Sequence, residues 1–177
     1  MKPRGEYSVR ISGLQYGLHE FEFNIGSSFF AIMDHPDIEG GKVSALVILE
    51  KKPEMMSLKF HLKGALEVVC DRCLDKYLQA IQANEVLYVK FGEEDEEMNE
   101  NVIIVSRDAH EIIIDQYLFE FMVLALPYKR IHPDREDGSP GCNLEMINKL
   151  NEHIVEDTHD TYDPRWDELK RLIEKNN

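Results

Sequence analysis

The chain has 177 residues, of which 43% are hydrophobic, and this suits a folded domain with a core of its own. Its 34 acidic and 20 basic residues give a net charge of −14, which excludes a general nucleic-acid binder that depends on counterion release. The sequence shows neither a signal-peptide pattern nor an apolar run of membrane-spanning length, so we expect a cytoplasmic protein.

The first two thirds of the chain are dominated by alternating hydrophobic and polar residues, the pattern of half-buried β-strands. A short polar link between two of these segments predicts an antiparallel hairpin. Gly64 is predicted to end the second hairpin strand and to separate it from the next. Strands are predicted at residues 7–12, 20–25, 43–49, 56–63, 66–70, 81–91 and 102–105, with a helical turn at 27–33 and a solvated acidic loop at 93–100.

The periodicity becomes helical in the last third. Asp115 is predicted to be the N-cap of a helix over residues 116–126, which is apolar nearly all round and should therefore be buried against the sheet. A one-sided apolar pattern predicts a second helix over residues 144–154. Asp163 followed by Pro164 is a strong start signal for a terminal helix.

Together these elements predict an α+β fold. We expect a strongly twisted, mainly antiparallel sheet that can curl toward a barrel, with one buried helix packed on it and further helices at the C-terminus. We expect a single domain over residues 1–177, sheet-rich to residue 106 and helical from residue 115. Continuous alternation of strands and helices is absent from the sequence, which argues against a parallel sheet.

Two of the three cysteines, Cys70 and Cys73, form a Cys-x-x-Cys pair in a turn after a predicted strand. This spacing brings both sulfurs within reach of one metal ion or of each other. The third, Cys142, shares a Pro- and Gly-rich loop with His132. A closed zinc site needs four Cys or His ligands, so Cys70, Cys73, His132 and Cys142 are the candidate set for Zn²⁺. The alternative is that Cys70 packs in the core as a small hydrophobic residue and the other two have no shared role.

A second chemical interpretation of the Cys-x-x-Cys pair is a thioredoxin-like redox site. Such a site places the first thiol at a helix N-terminus within a βαβ unit, whereas this pair lies between strands of antiparallel type. No phosphate-binding loop, nucleophile elbow or pair of catalytic carboxylates is recognisable in the sequence.

A local excess of basic residues surrounds the cysteine pair. Residues 51–76 contain six basic and four acidic residues in an otherwise acidic chain, a pattern typical of solvated outer strand faces, with a local basic face that contacts RNA as the alternative. The only tryptophan, Trp166, is either a packing anchor for the last helix or an exposed partner-binding residue. The candidate partner-binding residues are Lys59, Lys63, Arg72, Arg165 and Trp166.

Four motifs in order carry a resemblance to a known family. They are the Cys-x-Arg-Cys-Leu turn at 70–74, an apolar helix ending in Leu-Ala-Leu-Pro at 124–127, a Cys-bearing loop, and Asp-Pro-Arg-Trp at 163–166. In this order they resemble the YceD family of large ribosomal RNA subunit accumulation proteins, over about residues 40–175. Many members carry a second Cys pair in the loop after the Leu-Pro motif. This chain has only Cys142 there, with His132 as a stand-in.

The resemblance implies a role in accumulation or processing of the large-subunit (23S) ribosomal RNA, without a settled enzymatic activity. Our first hypothesis is therefore a non-catalytic ribosome-biogenesis factor that binds the ribosomal RNA precursor or a basic ribosomal protein. The alternatives are a zinc- or thiol-dependent enzyme that uses Cys70 and Cys73, and a structural protein-interaction module. A net charge of −14 favours a basic protein over naked RNA as the direct partner.

Overall fold

The computed structural model describes residues 7–33, 35–36, 38–92, 97–99, 101–135 and 137–154. The chain forms two compact units, Met1–Asn143 and Leu144–Asn177. The single domain expected from the sequence stays a prediction. The elements in chain order are β1 (Ser8–Arg10), β2 (Gly17–Ile25), α1 (Ser27–Met33), β3 (Ile38–Lys51), β4 (Met55–Val69), β5 (Lys76–Gly92), β6 (Glu97–Asn99), β7 (Val102–Ser106), β8 (Glu111–Ile113), α2 (Asp115–Leu124) and α3 (Leu144–His153).

The first unit is built on a six-stranded sheet in the order β2-β3-β4-β5-β7-β6. Adjacent strands in this sheet are antiparallel except for β5 and β7, which run parallel. β1 and β8 form a separate antiparallel pair. The predicted α+β fold with a mainly antiparallel sheet is confirmed. The sheet stays open between β2 and β6, so it does not curl into a barrel.

One face of this sheet forms the core. The alternation predicted from the sequence places Leu49, Leu58 and Leu87 side by side on three neighbouring strands, and all three are fully buried. Burial of such large apolar side chains supplies the main stabilising term. The buried hydrophobic residues of the three central strands are Ile38, Val43, Ala45, Val47 and Leu49 of β3, Met56, Leu58, Phe60, Leu62, Leu66 and Val68 of β4, and Tyr77, Ile81, Ala83, Leu87 and Val89 of β5.

Gly64 does not end a strand, as the sequence had suggested, but lies within the continuous strand β4 opposite Val43. A Cβ atom at this position would collide with the Lys42 carbonyl oxygen and the Val43 Cα of β3. The glycine therefore permits a close approach of two strands, which is the other common reason for glycine inside a strand. As a result, β4 runs without interruption from the hairpin turn to the Cys-x-x-Cys turn.

Helix α2 is buried against the sheet through Leu118, Phe121 and Met122, as predicted, and the rings of Phe60 and Phe121 are 5.1 Å apart. Its predicted N-cap is wrong. Asp115 is the first helical residue, and Ile114 precedes it without a side-chain cap. The Asp115 carboxylate accepts a hydrogen bond of 2.9 Å from the Tyr7 backbone N–H and so attaches the residue before β1 to this helix.

One short helix adds to the core of the first unit. The predicted helical turn at 27–33 is confirmed as α1, where Phe29 and Phe30 are buried and Phe29 meets the ring of Tyr7 edge to face at 5.2 Å. In the second unit, α3 confirms the helix predicted from residue 144.

Two predicted elements lie wholly or partly outside the described residues. They are the terminal helix from Asp163 and the acidic loop, of which residues 97–99 are described and pair with β7 as strand β6. No helix within the described ranges is long and apolar enough to cross a membrane.

Candidate metal centre

The Cys-x-x-Cys pair lies in the tight turn that joins β4 to β5. The Cys70 N–H donates a hydrogen bond of 2.9 Å to the Asp75 carbonyl, and the Leu74 N–H donates one of 3.0 Å to the Cys70 carbonyl. Leu74 has a φ of +63°, the left-handed conformation that glycine or asparagine adopts more readily. The turn therefore buries both sulfurs, since Cys70 and Cys73 are 0% and 1% exposed.

The loop after α2 is attached to this turn by a three-point contact between Asp71 and Arg130. The Asp71 N–H donates to the Arg130 carbonyl at 2.7 Å, and the Arg130 N–H donates to the Asp71 carboxylate at 2.7 Å. The Arg130 guanidinium adds a third bond to the same carboxylate at 3.3 Å. These contacts bring the loop back over the end of β4, two residues before His132.

The same loop then turns back on itself to present Cys142. The Arg135 N–H donates to the Ser139 carbonyl at 2.8 Å, which closes a small turn. A Cβ atom on Gly141 would collide with the Pro133 carbonyl oxygen, so only glycine fits where the two arms of the loop meet. This close approach places Cys142 next to His132.

The four candidate ligands predicted from the sequence come together. The donor atoms of Cys70, Cys73, His132 and Cys142 all lie within 4.8 Å of one another. The Cys70 and Cys142 Sγ atoms are 3.8 Å apart, and the Cys73 Sγ and His132 Nδ1 atoms are 3.4 Å apart. Tetrahedral zinc, with Zn–S bonds of about 2.3 Å and Zn–N bonds of about 2.0–2.1 Å, separates two sulfurs by about 3.8 Å and a sulfur from a nitrogen by about 3.5 Å. These two measured separations match those of a tetrahedral zinc site.

Burial and hydrogen bonding act in opposite directions on the thiols. Burial disfavours the Cys70 thiolate, but the backbone N–H groups of Arg72, Cys73 and His132, together with the His132 ring, lower the pKa of Cys70 to about 6. Burial and the neighbouring sulfurs of Cys70 and Cys73 raise the pKa of Cys142 to about 11. The sulfurs oppose one another's ionisation, and a bound cation would remove that conflict.

Tyr77, the second residue of β5, packs against His132. Its ring lies 4.6 Å from that of His132 with an interplanar angle of 33°. This contact restricts the rotation of the imidazole and keeps Nδ1 directed toward the sulfurs. Burial, followed by the negative groups at Cys70 and Asp71, raises the pKa of the Tyr77 phenol.

The alternative interpretations of the cysteines find less support in this geometry. Cys70 is buried, as a core residue would be, but Cys73 and Cys142 are buried beside it instead of lying apart. The Cys-x-x-Cys turn joins two antiparallel strands, whereas a thioredoxin-like pair begins a helix.

Three of the candidate partner-binding residues are described, and all three are exposed. Lys59 and Lys63 are exposed on the face of β4 opposite the core, and Arg72 is exposed in the Cys-x-x-Cys turn. Lys59 and Lys63 are four residues apart in the sequence, so they lie about 14 Å apart along the strand. Arg165 and Trp166 lie outside the described residues.

The residues that support the ligands were not predicted from the sequence, namely Asp71, Tyr77, Arg130 and Gly141. Asp71 and Arg130 are 59 positions apart and carry no spacing signal. A glycine directly before a cysteine in a loop was the one local sign of a close backbone approach.

Comparison with known proteins gives one family. Neither the curated proteins nor the solved structures that were compared include a match. Residues 58–173, more than half of the chain, match the family model described as "Large ribosomal RNA subunit accumulation protein YceD". This span contains all four donors of the candidate metal centre and every motif on which the resemblance was based. The chain therefore belongs to the YceD family.

Proposed function

We propose that this protein is a non-catalytic ribosome-biogenesis factor that supports accumulation or processing of the large-subunit (23S) ribosomal RNA. The family match over residues 58–173 is the observation that carries this proposal. The protein would act in the cytoplasm by binding the ribosomal RNA precursor or a ribosomal protein, and residues 1–177 would act as a single domain.

The metal centre would serve as a structural element of this factor. Four protein donors complete a tetrahedron, and a closed site of this kind leaves no position for a substrate or an activated water. When bound, zinc would supply folding energy by joining the β4–β5 turn to the loop that carries His132 and Cys142. It would thereby hold the exposed side chain of Arg72 in a defined position.

The direct partner is more compatible with a basic ribosomal protein than with RNA alone. The net charge of −14 repels phosphate at long range and attracts a basic chain. RNA contact would then be confined to local basic groups, for which Lys59, Lys63 and Arg72 are the described candidates. Arg165 and Trp166 remain candidates on the basis of the sequence.

Deletion of the gene tests the proposal directly. We expect less mature large-subunit ribosomal RNA and more of its precursor, with the small subunit comparatively intact, measured by RNA blotting and by subunit profiles in sucrose gradients. Normal profiles and normal precursor levels in a strain without a second copy would contradict the proposed function.

Complementation of the deletion strain tests the partner-binding residues. A Lys59→Glu/Lys63→Glu variant should restore the ribosomal RNA less well than wild type. An Arg10→Glu/Lys129→Glu variant, with the same charge change at other exposed positions, should restore it fully. Equal restoration by both variants at equal protein levels would remove Lys59 and Lys63 from the binding surface.

A further inference from the structure

The β2 strand is a long, open edge of the main sheet. Among the described residues, only β3 pairs with its nine residues, and it does so on one side. Between residues 18 and 23, no other part of the described chain hydrogen-bonds to the backbone on its free side; the first contact beyond them is from the Tyr7 hydroxyl to the Asn24 carbonyl. An edge of this length offers a row of backbone donors and acceptors to an added strand.

The side chains along this edge alternate between two chemistries. Glu20 and Glu22 are exposed on the outer face of the sheet, opposite Ile48 and Leu46 of β3. Phe21 and Phe23 point to the core side, where they are only partly buried because no described strand lies beyond them. An added strand would thus meet carboxylates on one face and incompletely covered aromatic rings on the other.

The charges of Glu20 and Glu22 disfavour a second copy of this chain as the added strand and favour a basic one. In an antiparallel pairing of two copies centred on Phe21, Glu20 of one copy would lie opposite Glu22 of the other. Like charges placed directly opposite each other destabilise a strand pair, so the carboxylates protect the edge against self-association. The same carboxylates favour a strand that brings lysine or arginine to those positions.

We propose that the β2 edge accepts an extended basic segment of a partner protein as an additional strand. Lysine or arginine side chains of this segment would lie beside Glu20 and Glu22, and apolar side chains between them would cover Phe21 and Phe23. Backbone hydrogen bonds would supply affinity and the alternating side chains specificity, as in other cases of strand addition. The net charge of −14 would accelerate the encounter. The identification of the partner as a ribosomal protein rests on the proposed function, whereas the binding chemistry does not.

A synthetic peptide tests the edge with purified full-length protein. The probe is a blocked nine-residue peptide of alternating lysine and valine, compared with two versions N-methylated at every lysine or at every valine. Alternate amides of a strand point to opposite sides, so only one methylated version should lose binding in calorimetric titration. Binding should also slow hydrogen exchange at β2 amides. Equal binding of all three peptides, or unchanged exchange at β2, would overturn the proposal.

A second experiment reverses the charges on the β2 edge. Glu20→Lys/Glu22→Lys should weaken peptide binding about tenfold or more, because two favourable cross-strand pairs become repulsive. Asp134→Lys/Glu152→Lys makes the same change in net charge at exposed positions outside β2 and should weaken binding less than about threefold, through the long-range field alone. Melting temperatures establish that both variants are folded. Equal weakening by the two variants would count against the edge.

The same variant separates this inference from the proposed function in cells. Glu20→Lys/Glu22→Lys, expressed at the wild-type level in the deletion strain, should fail to restore large-subunit ribosomal RNA. If deletion lowers that RNA and the variant restores it fully, the edge proposal fails and the proposed function stands. If deletion changes nothing, the proposed function fails, and the methylated peptides alone decide whether the edge binds a basic strand.

Discussion

The core face of the sheet and the cysteine–histidine cluster are held together in contrasting ways. The sheet buries a large apolar side chain at nearly every second position of three long neighbouring strands. The cluster brings four donor atoms to one point from two segments, with 59 positions between Cys73 and His132 and 72 between Cys70 and Cys142. The sheet distributes its stabilisation over many contacts, whereas the cluster concentrates it in a few atoms.

This difference predicts different responses to damage. Loss of one core side chain lowers the free energy of unfolding of the first unit by the burial energy of that side chain plus the cost of the cavity that it leaves. If the cluster binds zinc as proposed, loss of one ligand would release an ion on which the other three ligands also depend. The experiments below distinguish these two behaviours, in order of expected effect.

Removal of the metal should have the largest effect. We expect one zinc per chain by elemental analysis, and we expect Cys70→Ser or a chelator to lower the free energy of unfolding by on the order of 5 kcal/mol. Structural zinc contributes about 10–16 kcal/mol in small peptides, and the Asp71–Arg130 contact already supplies part of the loop's order here. His132→Ala should resemble Cys70→Ser, whereas His110→Ala, at an exposed histidine, should not. Clearly substoichiometric zinc with a fully stable Cys70→Ser variant would contradict the site.

Phe121→Ala should destabilise the core by about 3–5 kcal/mol, because it removes a buried ring that packs against Phe60 and leaves a cavity. Urea denaturation measures the change. The matched control is Leu124→Ala in the same helix, where 74% of the side chain is exposed and the expected change is within about 0.5 kcal/mol. Zinc content should remain unchanged in both. Comparable losses for the two variants would mean that α2 is not packed on the sheet as described.

Asp71→Ala should destabilise the loop by about 1 kcal/mol, since the hydrogen bonds of this partly exposed carboxylate to Arg130 are screened by solvent. Its clearest signature should be faster limited proteolysis within residues 129–142 and faster exchange of zinc with free ligand. Asp75→Ala, at an exposed carboxylate in the same turn, should change neither rate. If the loop of Asp71→Ala is cut no faster than that of wild type, the Asp71–Arg130 contact does not order the loop.

Leu74→Asn should have the smallest effect, a gain in stability of about 1 kcal/mol or less. Asparagine tolerates the left-handed backbone at this position better than leucine, and 66% of the leucine side chain is exposed, so little burial is lost. Leu78→Asn, at an equally exposed position of β5 with an ordinary strand backbone, should instead lower stability. Thermal unfolding of the zinc-loaded proteins measures both. A loss of stability in Leu74→Asn would show that the leucine side chain makes a stabilising contact in this turn.

The elements of the sheet were largely predictable because each strand carries its own period-two pattern. The hairpin of β3 and β4, the strand β5 and the buried helix α2 all lie close to their predicted positions. The short strand β8 and the parallel pairing of β5 with β7 were not predicted, because three residues carry no measurable period and parallel pairing joins segments without a hairpin. The residue type of Asp115 predicts helix capping, its common role, whereas the bond that it makes to Tyr7 spans 108 positions.

Residue type and local spacing already indicate the fold class, the buried faces and the four donors of the candidate metal centre. The folded chain adds that these donors meet within 4.8 Å, that Asp71 and Arg130 attach the loop, and that no described strand pairs with the free side of β2. These two kinds of information differ in the range of the interactions behind them. Periodicity and turn chemistry act over a few residues, whereas the metal geometry and the free edge depend on which distant segments the folded chain brings together or leaves apart.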